Sequence, residues 1–89
     1  MDADLPQMIY FATFFSHFGA MRYKILCQQQ QIVCRTMPVP RGLSSSCGTC
    51  VRCEERWLPV QGSDAEDLEQ VAAWDGEKFT TVYHIEQDG

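Results

Sequence analysis

The sequence predicts an α+β fold of βαββαβ order, a two-layer sandwich in which two helices cover one face of an antiparallel sheet. Three observations predict it. An aromatic-rich apolar run near the N-terminus shows no alternation, two segments of helical spacing each follow a capping residue, and the other apolar segments are short and bounded by proline, glycine or serine. With right-handed crossovers in one small sheet, that order resolves to the ferredoxin-like split βαβ arrangement.

Met8 to Phe15 (MIYFATFF) is apolar on both faces and β-prone, which marks a central first strand. Ser16 stands as N-cap of a helix from His17 to about Gln29, with Phe18, Met21, Ile25 and Leu26 at helical spacing and the glutamines Gln28 to Gln31 as its solvated end. Ile32 to Met37 reads as the second strand, ended by Pro38 and Pro40, which cannot donate to a ladder. After a loop rich in Ser and Gly, Val51 to Trp57 sets Val51 and Cys53 against Arg52 and Glu54, a third strand with one wet face. Ser63 and Glu66 have capping-box spacing ahead of Leu68, Val71 and Ala72; Asp64, Glu66 and Asp67 occupy the first turn of this second helix, and Gly76 closes it. Lys78 to Glu86 is the last strand, with Phe79, Thr81, Tyr83 and Ile85 on one face and His84 turned away. Trp57 and Trp74 read as structural.

Two corollaries concern the site. The first two strands run the same way, so the loop Pro38 to Gly48 leaves the sheet at the edge where the first helix begins with His17. A helix layer on one side leaves the other sheet face partly apolar through Tyr10, Phe14 and Val82, which predicts a homodimer or partner contact there.

The chain has 89 residues and 10.2 kDa, with 45% hydrophobic side chains: one domain over residues 1–89, with an ordered core over about 8–86 and short acidic tails. That size excludes a multidomain enzyme. The uncharged stretch from Leu5 to Met21 is interrupted by Pro6, Gln7, Ser16, His17 and Gly19, which predicts no membrane span, and Asp2 and Asp4 stand where a secretory signal needs positive charge. A cytoplasmic protein is the expectation. The net charge of −5 is unevenly laid out: between Leu5 and Cys53 the only charges are Arg22, Lys24, Arg35, Arg41 and Arg52, whereas ten carboxylates follow against Arg56 and Lys78. Overall acidity argues against a sequence-independent nucleic-acid binder, which needs a cationic face.

Five cysteines, Cys27, Cys34, Cys47, Cys50 and Cys53, are odd in number and carry no export signal, which points to thiols or metal chemistry rather than a disulfide framework. The chemistry is sought in the loop Pro38 to Cys50 (PVPRGLSSSCGTC), about twice as long as a hairpin needs. Arg41 supplies a cation, Ser44, Ser45 and Ser46 supply hydroxyls, and Gly42 and Gly48 permit turns that aim N–H groups at an anion. Cys47 stands among them, where a partly exposed, positively biased thiol acquires a lowered pKa and acts as nucleophile. His17, at a helix N-terminus that disfavours its protonated form, suits a neutral base beside Cys47.

The run from Pro38 through Arg41 and Ser44 to Gly48, preceded by an aromatic strand and a helix with Ala20 and Met21 near its start, resembles the selenium/sulfur carrier-like small domain family over about Met8 to Ile85. That resemblance implies a thiol that holds sulfur or selenium as a persulfide or selenopersulfide, with Cys47 at the matching position. On this reading Cys47 takes the outer chalcogen from a persulfide or selenium donor protein and passes it to an acceptor protein, while Arg41, the serine hydroxyls and the Gly48 loop backbone stabilise anionic forms. It is a carrier rather than a complete enzyme, with no cofactor, nucleic acid or membrane involved. After the Cys-Gly pair the family usually shows small or apolar residues, whereas here Cys50 and Cys53 follow. Cys50 is close enough in sequence to attack Cys47 and release sulfide.

The alternatives are a Cys47, Cys50, Cys53 metal or iron–sulfur module, with His17 or Cys34 as candidate fourth ligand, and a non-catalytic interaction domain. Against the metal, Cys53 falls on the face of Val51, where a buried small hydrophobe accounts for it; Cys27 and Cys34 read as core fillers.

Overall fold

The computed structural model describes residues 8–85; the acidic tails, with Asp2, Asp4, Glu86 and Asp88, lie outside the described residues. Its elements are β1 (Ile9–Phe14), α1 (His17–Gln29), β2 (Cys34–Pro38), β3 (Thr49–Glu54), β4 (Leu68–Trp74) and β5 (Phe79–His84). They form one five-stranded sheet of order β2-β3-β1-β4-β5 in which every neighbouring pair is antiparallel. The α+β class and the antiparallel sheet match the sequence reading. Among the described residues, however, one helix covers the sheet, not two, and α1 is too short and polar to cross a membrane.

The expected second helix is the main correction. Ser63 and Glu66 close only a single 3-10 turn, Gly62–Ala65, with the Glu66 N–H donating to the Ser63 carbonyl at 3.4 Å. From Leu68 the chain is strand β4, inserted between β1 and β5. Val71, Ala72 and Ala73 are consecutive and all buried, because at these positions the strand has neighbours on both sides and cover on both faces. Such a run has no alternation, and the spacing of Leu68, Val71 and Ala72 coincides with that of a helix face.

Residues paired across strands share a face. Tyr10 pairs with Cys53 and Ala12 with both Val51 and Val71, so these side chains, with Phe14, face α1. The helix turns toward them a row of small residues plus one tyrosine: Gly19, Ala20, Tyr23 and Cys27 are buried. Phe18 and Ile25 lie on the opposite side, 72% and 53% exposed, so the apolar spacing that predicts the helix does not mark its inner face. Small residues win the inner face because they let the helix axis approach the sheet closely.

Tyr10 and Phe14 therefore belong to the helix-covered face. Phe14 packs its ring 5.2 Å from that of Tyr23, so the open face expected through Tyr10, Phe14 and Val82 does not exist as drawn; of the three, only Val82, on the edge strand β5, is exposed. The second face carries Phe11, Thr13, Cys50 and Ala72, all buried, with Phe79 packed edge-on to Phe11 at 5.7 Å. The single-face reading of the last strand is also corrected. A register shift pairs Thr81 with Ala72 but Tyr83 with Val71, so a bulge sends Tyr83 to the helix side, where it meets Trp57 at 5.8 Å.

Asp67, expected inside a helix of its own, serves α1 instead. Its Oδ2 accepts a hydrogen bond from Ser16 Oγ at 3.1 Å while Ser16 Oγ caps the helix by accepting from the Gly19 N–H at 3.0 Å, and the carboxylate sits at the positive end of the helix dipole. Gly19 makes room for it: a Cβ there would lie 2.5 Å from Asp67 Cβ. Alanine raises helix propensity by about 1 kcal/mol over glycine. The clash is with the stem of Asp67 rather than its tip, and overpacking costs about 1–3 kcal/mol. Gly19→Ala is therefore expected to destabilise the domain, measured as a lower denaturant midpoint with unchanged m-value.

Candidate functional site

β1 and β2 both run antiparallel to β3, so the end of β1, the start of α1 and the start of β3 share one edge of the sheet. This fulfils the expectation for the loop and His17. The residue that joins them is Thr49, which the sequence reading passed over. Its Oγ1 lies 3.3 Å from His17 Nδ1, and its carbonyl accepts the Cys47 S–H at 3.4 Å. Cys47 is half-buried against the helix-side core, and His17 is exposed at the first turn of α1.

The loop is held in a defined shape. Val39 extends the β2–β3 ladder by donating to the Gly48 carbonyl at 3.1 Å, and Leu43 closes a turn on the Pro40 carbonyl at 3.3 Å. Gly42 and Gly48 have φ of 88° and 79°, the left-handed region the sequence reserves for them. Gly42 lies beside the Phe79 ring, which seats the turn, with Arg41 exposed at its tip.

The serines are engaged with the protein. The Ser46 N–H and Oγ both donate to the Glu69 carboxylate at 3.2 Å, which also accepts from Thr13 Oγ1 at 3.4 Å. Ser45 Oγ donates to the Phe14 carbonyl at 3.5 Å, and the Ser44 carbonyl accepts from Gln70 Nε2 at 3.1 Å. The structure thus brings Cys47, Gly48 and His17 together around Thr49, while Ser44, Ser45 and Ser46 tie the loop to β1 and β4. Among the described residues no hydrogen bond joins Arg41 to Cys47. Glu69 is the second residue that sequence reasoning missed: it lay within a supposed helix. Thr49 could have been found, since the antiparallel register of β3 on β1 places it beside the start of α1.

Cys50 is fully buried on the second sheet face, opposite Thr13 and Met37, its thiol directed to the Pro38 carbonyl at 3.9 Å. Burial, with a smaller contribution from the nearby Cys47, pushes it up to about 11. Because the folded thiol holds its proton more tightly than the unfolded one, this group's contribution to stability is complete below pH 9.0 and is lost as the pH rises toward 11. At pH 8 only about one Cys50 in a thousand is a thiolate, from the three-unit gap to its pKa of about 11. Brief iodoacetamide treatment at that pH is therefore expected to label Cys47 at least tenfold faster than Cys50, read by peptide mapping. Equal labelling would show the strand opening.

The metal alternative fails on geometry. Cys50 and Cys53 are an odd number of residues apart on one strand and point to opposite faces, Cys53 into the helix-side core with Val51. Among the described residues no group of three His, Cys, Asp or Glu side chains is placed to hold a metal ion.

Comparison with known proteins adds one match. The family model described as "Putative Se/S carrier protein-like" matches residues 9–59, which is more than half of the chain and spans β1, α1, β2, the loop with Cys47, and β3. It stops short of β4 and β5, so it is narrower than the resemblance to about Ile85. The chain matches no curated protein and no solved structure. By that match, the chain belongs to the Se/S carrier protein-like family.

Proposed function

We propose that Cys47 carries sulfur or selenium as a persulfide or selenopersulfide, received from a donor protein and delivered to an acceptor protein in the cytoplasm. The observation that carries this reading is that, of the three cysteines in the loop and β3, Cys47 alone reaches solvent, within the segment the family model matches. In loading, the Cys47 thiolate attacks the outer chalcogen of a donor persulfide; the new bond to Cys47 forms as the donor's own bond breaks, and the donor leaves as a thiolate. Delivery repeats the step with an acceptor thiolate attacking and Cys47 leaving. No net oxidation occurs in either step.

The surroundings support these roles. His17 and Cys47 meet the same residue, Thr49, so the imidazole stands where it can take the thiol proton as a donor approaches. The ties of Ser44, Ser45 and Ser46 to β1 and β4 keep the loop shaped, and Arg41, exposed at its turn, is the loop's cation for the anionic carrier. Cys50, fully buried on the other sheet face with its thiol on the Pro38 carbonyl, reaches Cys47 as a resolving thiol only when its strand opens, so a loaded Cys47 persists long enough to meet an acceptor.

The test is a loading and discharge experiment under anaerobic conditions. Incubation with a cysteine desulfurase and cysteine should add the mass of one sulfur atom to the intact protein. After removal of the donor, an excess of a small thiol should return the original mass. A chain that stays at its unloaded mass with a competent donor would sink the proposal.

A further inference from the structure

We propose that Cys27 and Cys53 form a second reactive sulfur site, a dithiol beneath α1 that peroxide converts to a disulfide joining the helix to the centre of the sheet. Their sulfurs face each other at 3.9 Å in the core, one from the last turns of α1 and one from β3, and both side chains are fully buried. A lone buried cysteine is a small hydrophobe. Here a third lies alongside: Cys34 on β2 pairs in register with Cys53, its thiol donating to the Lys24 carbonyl of α1 at 3.7 Å.

The cluster is polarised. Cys27 lies below the usual thiol range, chiefly through its hydrogen bond with Cys53 and against the opposing effect of burial, while the same contact and burial push Cys53 up. One sulfur of the pair is therefore the nucleophile and the other keeps its proton. There is also a way in. Cys34, on the edge strand β2, is only half-buried, so the cluster comes within reach of solvent at the edge of the sheet.

The Cys27 thiolate attacks one peroxide oxygen, forming an S–O bond as the O–O bond breaks, and the departing hydroxide becomes water on taking a proton. Cys53 sulfur then attacks the Cys27 sulfenic sulfur; the S–S bond forms as the S–O bond breaks, and the Cys53 proton leaves with the hydroxyl as a second water. Two thiols are oxidised and one peroxide is reduced. None of this uses Cys47, so the site stands whether or not Cys47 is a carrier.

The experiment removes Cys47 and Cys50 first, as a Cys47→Ser, Cys50→Ala chain, and is run in parallel on the wild type so that a folding defect in the variant does not decide it. Reduced protein is treated with stoichiometric hydrogen peroxide, denatured in N-ethylmaleimide and digested with trypsin. The expected product is a dithiothreitol-sensitive link between the peptide from Ile25 to Arg35 and that from Cys53 to Arg56, with fragmentation leaving Cys34 as the alkylated residue. Cys34→Ala should retain the link. A link through Cys34, or full alkylation of Cys27 and Cys53 in both chains, overturns the proposal.

Discussion

A Cys47→Ser chain is expected to gain no sulfur from a cysteine desulfurase and cysteine, while Cys50→Ala should load at the wild-type rate. Serine is nearly isosteric, and Cys47 sits half-buried in a loop pinned through Ser44, Ser45 and Ser46, so the substitution removes the nucleophile without unfolding the domain. The two variants separate further with pH. Release of the stored sulfur by Cys50 needs its thiolate, whose fraction rises about tenfold per pH unit up to its pKa near 11. The wild type should therefore discharge faster as the pH is raised from 7 toward 9, about tenfold per unit on the same linkage, whereas Cys50→Ala discharges at a rate set by other routes. Time courses by intact mass spectrometry read both effects. A Cys50→Ala chain that discharges with the wild-type pH profile would leave Cys50 a packing residue only.

The largest effect on stability is expected at Tyr23. Its ring fills the space between α1 and β1 against Phe14, and its hydroxyl accepts the Leu58 N–H at 2.9 Å and donates to the Leu58 carbonyl at 2.8 Å, tying the segment after β3 to the helix. Tyr23→Phe keeps the packing and orphans both backbone groups, for a loss of about 1–3 kcal/mol. Tyr23→Ala adds a cavity worth about 3–5 kcal/mol, a large share of the roughly 5–15 kcal/mol that holds a small domain together. Urea melts of the two variants should fall in that order below wild type. A Tyr23→Phe midpoint equal to wild type would mean that water replaces the hydroxyl at Leu58.

What the sequence made legible was local. Ser16 as cap, α1 from His17 to Gln29 and β1 within Met8 to Phe15 follow from capping chemistry and short-range pattern, and the structure agrees with each; the expected halt at Pro38 does not hold, since Pro38 pairs with Thr49 inside β2 and Val39 carries the ladder one bond further. The meeting of His17 with the end of the loop was legible because strand direction alone sets it. What was not legible depends on partners distant in sequence. β4 is a strand because β1 and β5 flank it, and its run Val71, Ala72, Ala73 carries no period of its own. The inner face of α1 is chosen by close approach to the sheet, which favours Gly19 and Ala20 over Phe18 and Ile25. The bulge that turns Tyr83 away from the face of Thr81 leaves no mark in the alternation of β5. At the site, Cys47, Gly48 and His17 were found from residue type and edge, but Glu69 reaches Ser46 only through the fold of β4, and the facing of Cys27 and Cys53 needs α1 docked on β3.

The most direct test of the central claim locates the stored atom. The wild-type chain is loaded anaerobically with a desulfurase and either cysteine or selenocysteine, trapped with an alkylating agent and digested, and the peptide from Gly42 to Arg52 is fragmented. The account predicts one added sulfur or selenium on Cys47, with Cys50 unmodified by the chalcogen. An added atom on Cys34, Cys50 or another cysteine, with Cys47 bare, would contradict it.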